Sequence, residues 1–178
     1  MLVKRDKNNF FYLRVISILL SSILFFSCSS SPKVEKNFDF SIDRYLGKWY
    51  EIKRFNHVFE RGLKEVTANY ELEKNGKISV INRGIDSKNK ESIFYATAKQ
   101  TDIPNFLKVY PNAFPIIGAQ YNVAWISVDY KYAIVTSSSY KYLWFLSREK
   151  SIPLNIYNEM IQKAEALGFK TENLIDGQ

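Results

Sequence analysis

The chain has few of the residues that most often do chemistry. Its 178 residues include one cysteine, Cys28, and one histidine, His57. One cysteine cannot form a disulfide within the chain, and a Cys/His zinc site has too few ligands. Any thiol–imidazole or Ser-His-Asp set would have to be built on His57, and no flanking motif supports one. There is no Gly-x-Ser-x-Gly nucleophile elbow, no Walker loop and no Gly-x-Gly-x-x-Gly. The carboxylates are dispersed, so a glycosidase-like pair has no sequence support. His57 stands in a polar loop, where a solvated surface position is the commoner outcome; haem ligation by it is left open. These absences point away from an enzyme and give no reason to expect a cofactor or a metal.

Long apolar runs are missing too. The longest, Val15 to Phe26, has 12 residues, well short of the roughly 20 a spanning helix needs. The formal charge is +7. Residues 1–27 hold Lys4, Arg5, Lys7 and Arg14 against Asp6, a net +3, which leaves +4 for the rest. With no basic cluster, that charge reads as a solvated surface and no nucleic-acid partner is expected.

What is present begins with the leader. A basic, polar segment, a short apolar core and then Ser27-Cys28 fit a secretion signal. The only cysteine falls where the apolar core ends. This resembles a bacterial lipoprotein signal, which implies that Cys28 becomes the lipid-bearing first residue after cleavage. Leu24 stands one position further from the cysteine than is usual, with Phe25 in its place. An ordinary signal with a chance cysteine is the alternative. Ser29-Ser30-Ser31-Pro32 reads as a flexible tether. The serine after Cys28 implies the outer membrane by enterobacterial sorting. The expected division is a signal over 1–27, a lipidated cysteine and tether over 28–42, and one folded domain over 43–178.

The body is rich in tyrosine and phenylalanine, which favour strands. Strands are expected at Trp49–Phe55, Val66–Leu72, Ile78–Asn82, Ser92–Lys99, Phe106–Tyr110, Tyr121–Val128, Tyr132–Thr136 and Tyr142–Ser147. Asn75-Gly76 is a hairpin signal between the second and third. Eight short strands joined by polar turns indicate an antiparallel sandwich or barrel. Ser151 is a candidate helix cap with Pro153 in the first turn. Tyr157, Met160, Ile161, Ala164 and Leu167 share a helical face, and Gly168 can end the helix.

Gly47-Lys48-Trp49 in Asp43–Ile52, followed by Arg54-Phe55, Phe59–Leu63, Asp129-Tyr130 and Leu143–Arg148, resembles the lipocalin family in content and order. The nearest likeness is to bacterial outer-membrane lipoprotein lipocalins and apolipoprotein D, and it runs from about Arg44 to the C-terminus. It implies an all-β, eight-stranded antiparallel up-and-down barrel with a C-terminal α-helix packed outside. It implies that Gly47, Trp49, Asp129, Tyr130 and Arg148 are structural, with Trp49 packed under Arg148 at a closed end. The family's Thr-Asp-Tyr appears here as Val128-Asp129-Tyr130, which puts the local hydrogen bonds in question.

With register taken from the family, alternation gives an inward face of Ala68, Tyr70, Val80, Asn82, Phe94, Ala96, Val109, Val123, Trp125, Val135, Tyr142 and Trp144, together with Ala98 and Leu107. Such walls suit a long acyl chain, with Asn82 and the tyrosines as polar handles. At the open end Lys53, Arg54, Arg61 and Lys64 could meet an anionic headgroup, solvated loop charges being the commoner reading. The function implied is a non-enzymatic carrier in the bacterial envelope. It would be tethered to a membrane, monomeric or homodimeric, and bind a fatty acid, lysophospholipid or similar small hydrophobic ligand for storage, transport or salvage. A lipocalin-fold enzyme acting on a lipophilic substrate and an envelope scaffold with a filled barrel are the alternatives.

Overall fold

A computed structural model describes residues 31–36 and 39–178; the leader, Cys28 and the first tether serines lie outside the described residues. After a one-turn helix α1 (Ile42–Tyr45) the chain runs through eight strands: β1 (Gly47–Phe55), β2 (Lys64–Leu72), β3 (Ile78–Ile85), β4 (Glu91–Gln100), β5 (Phe106–Pro111), β6 (Ala119–Ile126), β7 (Tyr132–Thr136) and β8 (Leu143–Ser147). Helix α2 (Leu154–Ala166), a 3₁₀ turn (Thr171–Asn173) and a short β9 (Leu174–Asp176) follow.

Each of the eight strands pairs antiparallel with the next, and β1 pairs with both β2 and β8, so the sheet closes into an up-and-down barrel. Closure removes the edges that an open sheet would expose. The seam is completed by the C-terminus. β1 and β2 pair from Gly47↔Tyr70 to Tyr50↔Thr67, and β9 then pairs with β1 at Lys53–Phe55. Val66 donates its N–H to Gly177 O (3.0 Å), and Gly177 donates to Ile52 O (3.1 Å). The Gln178 amide donates to Glu51 O and Val66 O at 2.8 and 2.9 Å. Backbone groups that would be orphaned where the strands part are thereby satisfied.

The turns follow local chemistry. Glu73 and Lys77 flank a three-residue hairpin loop in which Gly76 takes φ +77°; this is the turn-plus-αL-glycine form rather than a two-residue Asn-Gly turn. Ser127 and Asp129 supply the hydrogen bonds that the missing threonine put in question. Ser127 Oγ donates to Asp129 Oδ1 (2.6 Å) and accepts from the N–H groups of Lys131 and Tyr132 (3.1 and 3.0 Å).

Two apolar clusters divide the molecule. One fills the lower barrel around Tyr45, Trp49, Val80, Ala96, Ala98, Leu107, Val123, Val135 and Leu146. The other lies outside, where Met160, Ala164, Tyr157, Ile161 and Leu167 cover Ile134, Leu143 and Phe145. The helix ends in a Schellman motif: Phe169 N–H bonds Ala164 O, Gly168 N–H bonds Glu165 O, and Gly168 sits at φ +93°. Its start differs from expectation. Pro153, extended at φ −60° and ψ 146°, is the cap residue, and Ser151 makes no cap.

One inward assignment is overturned. The β6–β7 pairing shifts register between Val123 and Trp125. A bulge adds one residue and exchanges the faces beyond it. Val123 therefore stays inside, and Trp125 packs on the outer cluster with Lys163 Nζ 5.2 Å from its ring centroid.

Candidate functional site

The closed end is built on Trp49. Its Nε1 donates to Tyr45 O (2.8 Å), and Arg148 Cζ lies 3.8 Å over the ring. The Arg148 fork donates to the carbonyls of Lys48, Arg44, Tyr45 and Leu46 at 2.8–3.1 Å, and its Nε reaches Tyr130 O at 3.3 Å. Gly47 holds φ +92°, and a Cβ there would stand 3.4 Å from Arg148 Nη1. Tyr130 accepts the Ser41 N–H at its hydroxyl (2.7 Å), and the Arg44 guanidinium lies 3.9 Å from its ring centroid. A desolvated guanidinium on indole is worth about 0.5–2 kcal/mol, and the five carbonyl acceptors fix the chain ends around it.

Above this floor the barrel is hollow. A cavity of about 630 Å³ opens towards the loops, within the roughly 300–1,000 Å³ span of small-molecule pockets. Its walls include Val66, Ala68, Val80, Phe94, Val109, Tyr142, Trp144 and Leu146. Of the twelve residues expected to touch a ligand, eight line it: Ala68, Tyr70, Val80, Asn82, Phe94, Val109, Tyr142 and Trp144. Ala96, Val123 and Val135 face inward but lie buried in the packed lower cluster, not on the cavity wall.

Two polar groupings face the cavity. Towards the floor, Tyr121 hydroxyl meets Tyr45 hydroxyl at 2.5 Å and Tyr70 hydroxyl at 2.7 Å. Burial pushes all three phenols well above their ordinary value, so they stay protonated and share a hydrogen-bond chain. Asn82 Oδ1, on the same wall, has no partner among the described residues.

The second grouping is ionisable, and sequence reasoning missed most of it. Glu51 and Arg54 are 3% and 1% exposed and bridge at 2.7 Å. Arg54 Nη2 also donates to Glu60 O and Leu63 O at 2.9 and 3.0 Å, drawing the β1–β2 loop over the mouth. Glu60 Oε2 accepts from Trp144 Nε1 (3.0 Å) and stands 3.0 Å from His57 Nε2. Burial, reinforced by the Glu60 charge, holds the Glu51 carboxyl well above the usual range. Burial also works against ionisation of Glu60, but the His57 imidazole 3.0 Å away and the Trp144 hydrogen bond outweigh it and bring Glu60 below that range. Glu51 is therefore the weaker acid of the pair and Glu60 the stronger.

These placements correct the reading of the open-end charges. His57 is 6% exposed and lines the cavity rather than the outer surface. Arg54 is committed to the buried cluster, and Lys53 pairs outside with Asp176 at 2.6 Å. Arg61 and Lys64 are exposed. Glu51 was legible in principle, since it lies two residues from Trp49 and so shares its inward face. The β1 bulge between Glu51 and Lys53 then puts Arg54, not Lys53, inside. Glu60 sits in a loop without periodicity; it falls within the Phe59–Leu63 stretch that carries the family likeness, but nothing there marks it as buried.

A closed eight-stranded antiparallel barrel, sealed below and hollow above with one helix packed outside, defines a cup-shaped β-barrel protein. Residues 40–178 match the family described as the lipocalin-like domain. The chain is 37% identical over 170 residues to the outer membrane lipoprotein Blc of Vibrio cholerae, covering 92% of this chain and 97% of that protein. It is 36% identical over 173 residues to the Escherichia coli K12 protein of the same name, covering 92% and 94%, and 34% identical over 133 residues to mouse apolipoprotein D, covering 69% and 67%. Among solved structures, the cockroach allergen Per a 4 superposes with a TM-score of 0.65 at 17% identity, over 84% of this chain and 95% of that one, a likeness of fold alone. The chain belongs to the lipocalin family.

Proposed function

We propose that this chain is a non-enzymatic lipid carrier of the bacterial envelope, holding one acyl chain in its barrel. The observation that carries the reading is the cavity of about 630 Å³ with predominantly apolar walls above a sealed floor. Each buried methylene contributes roughly 0.8 kcal/mol, so a dozen give about 10 kcal/mol before ordering costs of several kcal/mol. Net affinity in the micromolar range follows. Ala68, Tyr70, Val80, Asn82, Phe94, Val109, Tyr142 and Trp144 would contact the ligand. Fatty acids and lysophospholipids fit the walls, and the role would be storage, transport or salvage of membrane lipids.

The relatives named as outer membrane lipoproteins support placement at that membrane, with Cys28 bearing the lipid. A tethered cup a few nanometres from the bilayer meets released lipid before it diffuses away. Extraction of the native protein followed by mass spectrometry tests the carrier reading: co-purifying acyl lipid in near-stoichiometric amount is expected, and a lipid-free protein that also takes up none when offered would end it. Incorporation of labelled palmitate, lost in Cys28→Ala, tests the anchor.

A further inference from the structure

The lipid-carrier reading leaves the character of the headgroup open, and the cavity wall is not neutral on that point. Near the mouth, Tyr142 and Trp144 stack with centroids 5.8 Å apart at 14°. Phe59 lies 6.1 Å from Tyr142, and His57 5.1 Å from Trp144. Phe59 is 69% exposed, so it forms the outer lip of this aromatic corner. Behind the rings stands Glu60, with Glu51 next to it on β1. All six side chains line the same cavity.

We infer that this corner, Phe59, Tyr142 and Trp144 backed by His57, Glu60 and Glu51, is a subsite for an ammonium group, protonated or quaternary, at the head of the bound amphiphile. Ring faces carry negative potential and attract a cation within about 6 Å of the centroid. The carboxylate behind them attracts either cation and accepts a charge-assisted hydrogen bond from a protonated amine. A second observation points to a missing ligand. His57 is 6% exposed, yet its Nδ1 meets no partner among the described residues, and its Nε2, though 3.0 Å from Glu60 Oε2, is off the line of a well-formed hydrogen bond. A buried imidazole with an idle nitrogen at a cavity wall is uncommon in a finished core.

The corner is also hostile to anions. Two carboxyl groups face it, and the fork nitrogens of Arg54 are already spent on Glu51 and on backbone carbonyls. The cations on the cavity wall, Arg83 and Lys108, belong to β3 and β5, and Arg83 is paired with Glu91 at 3.1 Å. A free fatty-acid carboxylate therefore meets two carboxyl groups at the aromatic corner and no lysine or arginine of the cavity lining there. A zwitterionic lysophospholipid has a partner there for its amine and leaves its phosphate to Lys108 or to water. With Glu51 held towards its neutral form beside Glu60, the corner presents negative potential without two fully charged carboxylates side by side.

The inference rests on the carrier reading, and the test separates the two. Full-length protein is titrated by displacement of a fluorescent acyl probe with dodecyltrimethylammonium, dodecanoate and dodecanol, all below their critical concentrations. The ammonium ligand is expected to bind at least about tenfold more tightly than dodecanoate, as a cation–π contact plus coulombic attraction to the Glu60 carboxylate implies. In Glu60→Gln that ratio should fall towards one. Phe59→Ala, at an exposed lip position that folding does not depend on, should lower it a few-fold and serves if Glu60→Gln does not fold. Dodecanoate binding as tightly as the ammonium compound overturns the subsite while leaving the carrier reading intact; no binding of any of the three ends both. Matched lysophosphatidylcholine and lysophosphatidylglycerol then identify the source. Preference for the choline lipid makes it a phospholipid headgroup. Equal binding of the two, with the alkylammonium preference kept, makes it a free cationic amphiphile.

Discussion

Arg54 ties three parts of the barrel together, and replacing it with methionine is the sharpest test of the buried cluster. Its Nη1 donates to Glu51 Oε1 at 2.7 Å and to Asp176 O at 3.4 Å; its Nη2 donates to Glu60 O and Leu63 O. Arg54→Met keeps much of the stem's volume but removes the cation bonded to Glu51 and leaves three carbonyls short of a donor. Breaking one side of a buried pair costs about 3–5 kcal/mol, a large share of the roughly 5–15 kcal/mol by which a domain is stable. A fall in melting temperature of about 10 °C or more follows. Urea melts followed by circular dichroism at neutral pH measure the loss. Adding Glu51→Gln to Arg54→Met should recover part of it, because one of the uncompensated carboxyls is then permanently neutral. A loss under about 1 kcal/mol, the size of an exposed pair, would mean that the cluster is hydrated and that the account of the mouth is wrong.

Other expectations are as definite. Glu51 has its folded pKa raised by burial and by Glu60. Its contribution is therefore full below the ordinary carboxyl value of 4.5 and is lost as pH rises through the raised value. Glu51→Gln, fixed in the neutral form amid Arg54, His57, Glu60 and Tyr70, should gain in stability relative to the native chain as pH goes from about 5 to about 8, read by urea midpoints; a constant difference would contradict the shift. Glu60 runs the other way: held low, it contributes above the ordinary value and loses that contribution as the solution becomes more acidic. Arg148→Lys keeps the charge but not the fork, and should cost about 2 kcal/mol or more in thermal melts; an unchanged midpoint would show that the floor does not depend on it. Gly168→Ala should cost about 1 kcal/mol or more, since φ is +93° and the new Cβ would come within 3.0 Å of the Tyr140 hydroxyl oxygen.

The sequence carried the barrel well because each strand alternates and each turn has a physical marker. Trp49, Gly47 and Arg148 sit far apart in the chain, yet their family spacing placed them at one end, and the 3.8 Å stack is there. What alternation cannot carry is a bulge. The inserted residue before Trp125 sends that ring outside under α2, and the one after Glu51 brings Arg54 in; neither leaves a compositional trace, because either register keeps an apolar or amphipathic residue on each face. The fourth and fifth strands, bordered by Pro104 and Pro111, keep the alternation: Ala96, Ala98, Leu107 and Val109 all face the interior. The ionisable cluster was hidden for another reason. Glu60 and His57 are loop residues whose burial is decided by the Arg54 fork reaching carbonyls six and nine residues away. Local polarity alone suggested solvent. Ser151 misled because a good capping side chain preceded the proline that sets the helix start.

The central claim is that the upper barrel is a chamber with predominantly apolar walls, sized for an alkyl tail. Ala68 stands on its wall at 9% exposure, opposite Trp49 in the β1–β2 ladder. A tryptophan there would occupy the chamber at an overpacking cost of about 1–3 kcal/mol, which leaves a folded protein verifiable by near-ultraviolet circular dichroism. Titration of both proteins with a fluorescent long-chain fatty acid then gives the decisive comparison. Saturable micromolar binding by the native chain, weakened at least about tenfold in a folded Ala68→Trp, is the predicted result; equal uptake by the two, or none by the native chain, would contradict it.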